Sequence, residues 1–371
     1  NALVESCQTL FTAKPPDTGQ TGSCDLPCDY RYTFQTETMD TTPDNNAQPP
    51  GTLSVGLISN PHSGRNRKHL DTIRKIVTDY PNVHHRTTQT ANDIPAALEA
   101  FARQPVDILA INGGDGTIAR ILTELLEQRP FPVLPRLALL PGGTTNMNAA
   151  DVGLRGGLVD TIRRLCSWSS GAPASPESLQ RPVLRVTGGD GQAAVCGMAF
   201  GAGVVAQGVE YSDTSVSRKG IVGAFRPALA LFRTLWGIAS RDRRFFEPVT
   251  IALQRDSEPA EPASDIMILL ISSLERLMLG SRPFWGQESA PLHTTRVHAD
   301  AERFLRNLPA LARGNPNRHM TEANGYSSHN ASRIRLTMDG SWMLDGEVHK
   351  ARISDGPVTV SNGGDVTFVR V

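Results

Sequence analysis

Cysteine is scarce in this chain: five residues of 371, at Cys7, Cys24, Cys28, Cys166 and Cys196. Three crowd the N-terminal end and the last two stand far apart, so they form no disulfide framework. No C-x-x-C pair or H-E-x-x-H run offers a metal site. The chain reads as a reduced, cytosolic protein. Charge of either sign is not in excess, since the formal net charge is zero. Nothing in that balance points to nucleic acid as a main partner. Long apolar runs are missing as well. Ile266 to Ile271 is far too short to span a bilayer, so no transmembrane segment is expected. The N-terminal residues lack a basic stretch followed by an apolar one, and no secretory signal is expected from them. A G-x-x-x-x-G-K-[ST] loop and the protein-kinase H-R-D and D-F-G sets are also missing, which excludes those two kinase types.

What is present suffices for two domains. Hydrophobic residues make up 39% and charged residues 20%, and the length has room for two cores. Residues 1–50 are rich in Thr, Pro, Asp, Gln and Asn without apolar periodicity and read as a disordered tail. Met39 is a plausible natural start, so residues 1–38 are expected to be upstream sequence. The pattern changes at Thr52. Leu53–Ser59, Val83–Thr88, Asp107–Ile111 and Leu137–Leu140 read as short buried strands. Helices near Ile73–Val77, Ile94–Phe101, Ile118–Glu127 and Val159–Leu165 alternate with them. That alternation predicts an α/β nucleotide-binding domain over 51–166 with a parallel sheet covered on both faces. Residues 167–182 are rich in Ser, Pro, Ala and Gly and read as a linker. From 183 to 371 the runs Val183–Thr187, Ala193–Phe200, Val249–Leu253, Ile266–Ser272, Ile334–Met338 and Val358–Val371 predict a second, mainly antiparallel, β-sandwich-like domain. Helical stretches near Ala224–Ser240 and Ala299–Leu311 interrupt it. The first of these is apolar with a basic end, a pattern that fits a packed helix or one lying on a membrane surface.

Three polar, glycine-containing turns fall at three strand ends of the first domain: Asn60–Asn66, Gly113–Thr117 and Gly142–Asn146. In open parallel sheets the ligand lies beyond those ends. Strand, Gly-rich turn, helix is the layout of a phosphate site, because glycine lets backbone N–H groups approach an anion. Asp115 within the second turn repels phosphate and makes sense beside a metal ion or a proton transfer. Trp342–His349 carries Asp345 and Glu347 on either side of Gly346. It is compatible with a plain hairpin turn or with a carboxylate presented to take a proton from a hydroxyl. Gly201-x-Gly203-x-x-Ala206 matches a dinucleotide fingerprint in form but lies in the β-rich half without the required acidic residue downstream.

Asn60-Pro61-x-Ser63-Gly64, Gly113-Gly114-Asp115-Gly116-Thr117, Pro141-x-Gly143-Thr144-x-Asn146 and Leu344-Asp345-Gly346-Glu347 resemble the four ordered motifs of the diacylglycerol kinase catalytic family. That family includes bacterial soluble lipid kinases and is related to the sphingosine and ceramide kinases. The resemblance covers roughly residues 52 to 371. It implies a two-domain fold whose last strands return towards the first domain. It implies ATP and Mg²⁺ as cofactors, with the γ-phosphate passing to the hydroxyl of diacylglycerol or a related acyl lipid. By position, Asn60, Ser63, Gly64, Thr88, Gly113, Gly114, Asp115, Gly116, Thr117, Gly143, Thr144, Asn146 and Glu347 would form the nucleotide side. Asp345 would be the general base, and the metal ligands stay unassigned. The implied partner is a lipid at the membrane surface, met by peripheral contact, and a homodimer is compatible with this. Two positions depart from the family pattern. Ile118-Ala119-Arg120 stands where a hydrophobic residue, Asn and Glu usually follow the glycine turn, and Met147 stands where Asp usually follows Asn146. A sphingoid-base or ceramide kinase, an NAD kinase, and a non-catalytic nucleotide- or lipid-binding homologue remain alternatives.

Overall fold

The structure, a computed structural model, describes residues 51–104, 106–188, 193–211 and 247–371. The expected N-terminal tail, with Cys24 and Cys28, and the helix expected near 224–240 lie outside the described residues.

The first half alternates as its periodicity dictates. β1 (Val55–Ser59), β2 (Val83–Thr87), β3 (Ile108–Gly113) and β4 (Arg136–Pro141) are the strands. They run parallel in the order β4-β3-β1-β2. β1 and β3 are buried along their whole length, as strands covered on both faces must be. α1 (Asn66–Thr78) and α2 (Asp93–Arg103) follow β1 and β2. α2 buries Ile94, Ala97, Leu98 and Phe101, the spacing of one helical face. Gly56 lets the Phe101 ring lie directly on β1, since a Cβ there would stand 3.0 Å from it.

α3 (Asp115–Thr123) begins three residues earlier than the apolar pattern predicts, so Asp115-Gly116-Thr117 is its first turn. The physical reason is Gly114, whose extended backbone stops β3 and starts the helix in one residue. α4 (Met147–Asp151) and α5 (Leu158–Ser169) complete this half. The 167–182 stretch is not a linker as its composition predicts. Its first residues finish α5, and from Glu177 it becomes β5 (Glu177–Thr187), held by antiparallel pairing to β15 (Val358–Arg370). Backbone pairing that distant in sequence outweighs local composition.

The remaining strands are β6 (Val195–Gly197), β7 (Ala199–Gly203), β8 (Val249–Arg255), β9 (Ser264–Ser272), β10 (Leu292–His298), β11 (Tyr326–Ala331), β12 (Arg333–Met338), β13 (Gly340–Leu344) and β14 (Glu347–Ala351). α6 (Val204–Tyr211) follows β7, and α7 (Phe304–Arg313) lies between β10 and β11. All pairings within this half are antiparallel. β15 joins the halves by lying parallel to β4, with Phe368 opposite Leu137. The core is continuous as well: Ile58, Leu109, Leu137 and Leu139 share one buried cluster with Val183, Met198, Leu274 and Phe368.

Gly201 and Gly203 do not belong to a βαβ unit, because β7 runs antiparallel to β9 and β13. Gly203 is needed for packing. It has φ +73, and a Cβ on it would stand 2.3 Å from the Met267 carbonyl oxygen.

Candidate functional site

Three turns meet where β1, β3 and β4 end. The Asn60 side chain donates to Thr117 Oγ1 at 2.9 Å. The Gly114 N–H donates to Ser63 Oγ at 3.2 Å, so the first turn holds the second at two points. Gly64 lies against the third turn: a Cβ there would be 2.3 Å from Thr144 Oγ1. Gly143 and Gly114 touch, since a Cβ on Gly143 would stand 2.5 Å from the Gly114 Cα. Asn146 sits in a left-handed conformation (φ 53). Its carboxamide accepts from the Gly143 N–H at 2.6 Å and donates to the Gly143 carbonyl at 2.9 Å, clamping the third turn. Thr88 stands apart from these contacts. It is buried after β2, with its N–H donated to the Ser59 carbonyl.

Asp115 crosses between the turns. Its carboxylate accepts from the Met147 N–H at 3.1 Å and the Asn148 N–H at 2.9 Å. Burial pushes its pKa up, and these donors pull it back. Its sequence position suits a metal ion or a proton transfer; in the structure it also fastens the third turn to the second. Removing a partner from buried donors costs about 1–3 kcal/mol. Asp115→Ala is therefore expected to lower unfolding free energy by about that much in a denaturant titration. An unchanged midpoint would mean that these bonds contribute nothing.

The β13–β14 hairpin brings in the other half. Asp345 occupies the turn with φ 48 and is 4% exposed. Its carboxylate accepts from the Met198 N–H at 2.9 Å and the Ala199 N–H at 3.0 Å. Burial, and then the Asp115 charge facing it, push its pKa up to about 7. This lies above the usual aspartate range, so the folded state holds the proton more tightly than the unfolded chain does. The group's contribution is full below about 4 and is lost as pH rises to about 7. Glu347, two residues on, reaches α3: a Cβ on Gly116 would meet its Oε1 at 3.0 Å. Burial raises the Glu347 pKa, against a pull from Arg120.

Three buried asparagines surround these turns, and sequence reasoning gave them no role. Asn66 donates to the carbonyls of Asn60 and Asn112 at 2.7 and 3.0 Å. Asn112 donates to Ser59 Oγ at 3.0 Å. Asn148 faces Asp345 and draws its pKa back towards the usual range, yet neither polar atom of its amide has a partner within hydrogen-bond limits. One oxygen of Asn66 and one of Asn112 are likewise unpartnered. The available signal was Asn112, a polar residue ending an otherwise apolar strand.

The two departures have definite places. Arg120 pairs with Glu124 at 2.8 Å and lines a cleft with Thr123, Cys196, Leu344, Glu347 and His349. Met147 packs against the core and lends its N–H to Asp115.

These surfaces suit a polyphosphate. Gly114 presents no side chain, and among the described residues a Cβ on it would meet just the Gly143 Cα, at 3.6 Å. α3 opens beside it, and the first turn of a helix is where an anion is favoured. Among the described residues no group of three or more His, Cys, Asp or Glu is placed to hold a metal ion. The donors present fit the way Mg²⁺ is usually held, by one or two carboxylates with phosphate oxygens and water.

Residues 54–171 match the model of the diacylglycerol kinase catalytic domain. That segment belongs to this family. A diacylglycerol kinase of Bacillus subtilis is 35% identical over 102 residues, 26% of this chain and 32% of that protein. A probable lipid kinase, YegS, of Salmonella arizonae is 33% identical over 98 residues, again 26% and 32%. The matched part thus spans about a third of the length of these curated relatives. Crystal structures extend the likeness across both halves as a shared fold. A diacylglycerol kinase from Bacillus anthracis superposes with a TM-score of 0.53 at 16% identity, covering 85% of this chain and 96% of that one. A candidate diacylglycerol kinase of the same organism gives 0.59 at 18% identity, covering 86% and 98%. The diacylglycerol kinase segment contains three of the four motifs; the fourth, at Leu344–Glu347, is supplied by the β-rich half.

Proposed function

We propose that the protein is an ATP-dependent lipid kinase whose acceptor is the hydroxyl of diacylglycerol or a related acyl lipid. The observation that carries this reading is the meeting of Asp345 and Glu347 with the glycine turn of Asp115 and Gly116. A proton acceptor and a phosphate cradle then face one space. Asn60, Ser63, Gly64, Thr144 and Asn146 hold the turns that bind the nucleotide, and Gly113 to Thr117 carry its phosphates. Thr88 lies one strand further out, where it supports the nucleotide side. In this division of the chain, 51–166 binds nucleotide and the β-rich part from 183 onward carries the acceptor.

Phosphoryl transfer asks the protein for positioning, charge neutralisation and a base. Asp345 takes the proton of the acceptor hydroxyl. The hydroxyl oxygen forms a bond to the γ-phosphorus, the bond from that phosphorus to the β–γ bridging oxygen breaks, and ADP leaves with the electron pair. A bound Mg²⁺ would neutralise phosphate charge. Burial supports the base role of Asp345 by moving its pKa near neutrality, where a carboxylate is a stronger base than in water.

The base must be ionised, so log(kcat/KM) should fall with unit slope as pH drops below about 7, the Asp345 value. A flat profile down to pH 5 would remove Asp345 from that role. The function is tested with purified protein, labelled ATP and Mg²⁺ on separate dispersions of diacylglycerol, monoacylglycerol, ceramide and sphingosine, and on NAD. Label is expected in an acyl glycerol. Label in ceramide or sphingosine alone supports the sphingolipid alternative, and label in NAD alone the NAD kinase alternative. Label in none would sink the kinase reading.

A further inference from the structure

The chain leaving β9 runs directly from the rim of the site to an exposed apolar turn. The Ser273 N–H donates to the Met198 carbonyl at 3.2 Å, and the Met198 N–H is one of the two donors to Asp345. The Glu275 N–H donates to Asp151 at 3.2 Å, in the helix that the third turn opens. Leu277 packs against the same core as Met147. The chain then reverses. The Leu277 N–H donates to the Ser281 carbonyl at 2.8 Å, and the Gly280 N–H to the Leu277 carbonyl at 3.0 Å.

The residues at the tip are unusual for a solvent-facing turn. Leu279 has φ 58 and ψ 20 and is 89% exposed, and Met278 beside it is 38% exposed. A leucine in the left-handed region is sterically unfavourable, and this one gains no packing in return. Glycine or asparagine would serve the turn better. The chain from Arg276 to Gln287 carries charge of one sign. No acidic residue occurs between Glu275 and Glu288, while Arg276 and Arg282 are exposed there. Glu275 is paired with Arg181 at 2.5 Å. The Arg282 N–H donates to the Ala312 carbonyl at 2.8 Å, and the residue after Ala312 is exposed Arg313.

We propose that the Leu277–Ser281 turn is the membrane-contacting tip of the protein. Met278 and Leu279 enter the acyl region of an anionic bilayer, and Arg276, Arg282 and Arg313 meet its headgroup phosphates. Apolar insertion with a basic collar is how peripheral proteins hold an anionic surface. The purpose of this contact rests on the lipid kinase reading: the stem bonded to Met198 would bring a membrane-borne hydroxyl to Asp345.

Sedimentation of the full chain with vesicles of equal parts phosphatidylcholine and phosphatidylglycerol, without nucleotide, tests the tip separately from catalysis. Leu279→Gly suits the left-handed backbone, so its melting temperature should equal or exceed the parent's. Its vesicle partition should nevertheless fall about tenfold, the scale of removing a buried leucine side chain. Arg276→Gln with Arg282→Gln should lower partition about thirtyfold at low salt. That loss should shrink towards nothing near molar salt, where such attraction is screened. Parent-like binding by both variants, or no binding by the parent, would overturn the tip. Binding that follows this pattern in a protein that labels no acceptor would keep the tip and reject the kinase.

Discussion

Asp345→Asn is expected to lower phosphoryl transfer by about 10²–10⁴-fold, the usual contribution of a positioned general base, while ATP binding stays close to the parent's. The substitution is well suited to its site. Asn tolerates the left-handed backbone that Asp345 adopts at φ 48. It also removes a buried charge that faces Asp115. One cost remains, because the carboxylate accepts from both Met198 and Ala199 and an amide can accept only through its oxygen. Thermal unfolding beside the assay separates that cost from the chemistry. The variant should also lose the stability change between about pH 4 and pH 7 that the raised Asp345 pKa produces. A folded variant that transfers phosphate near the parent rate would show that Asp345 is not the base.

Gly143→Ala and Gly114→Ala should differ sharply, though the two glycines touch. On Gly143 a Cβ would meet the Gly114 Cα at 2.5 Å and Asn146 Oδ1 at 3.0 Å. Backbone must move, so the second and third turns separate. Overpacking of this kind destabilises by about 1–3 kcal/mol, and nucleotide affinity should be lost with it. On Gly114 the new Cβ finds a single neighbour at 3.6 Å, and the backbone there is ordinary extended chain. Gly114→Ala should stay within about 0.5 kcal/mol of the parent in stability. Its Cβ would stand where the phosphates are proposed to lie, so ATP affinity should drop at least about tenfold. Calorimetric titration beside denaturant unfolding reads both effects. Normal ATP affinity in Gly114→Ala would move the phosphates off this face.

The parallel half was legible because its signals are local. Buried strands such as Ile108–Gly113 are apolar up to Asn112, and α2 repeats its apolar face at helical spacing. The three turns were legible for a similar reason, since glycine and asparagine mark strand ends. Less could be read where distant partners decide. Residues 177–182 resemble a linker until β15 pairs with them. β10 and β11 are rich in Thr, Ser and His, and the buried Ser328 hydroxyl is satisfied across the ladder by the Thr294 carbonyl. No periodicity announces such strands. Within the site, the four motifs named the residues but not their bonds. That Asp115 fastens the third turn, that Asn148 lies against Asp345, and that Met198 and Ala199 hold the carboxylate depend on residues far apart in the chain.

Arg120 shows how a departure can be absorbed. A cation next to Glu347 would disturb the cleft if its charge were free. Its pairing with Glu124 at 2.8 Å keeps part of that charge on α3, and the remainder holds Glu347 towards its ionised form.

If the glycine turns and Asp345 serve one transfer, two labels will show it. The protein is incubated with Mg²⁺, dispersed diacylglycerol, and ATP labelled in one reaction on the γ-phosphate and in another on the α-phosphate. γ-Label is expected in the lipid fraction, with no α-label there, and the γ-label should be lost with Asp345→Asn. Lipid left unlabelled by the parent, or labelled equally by Asp345→Asn, would contradict it.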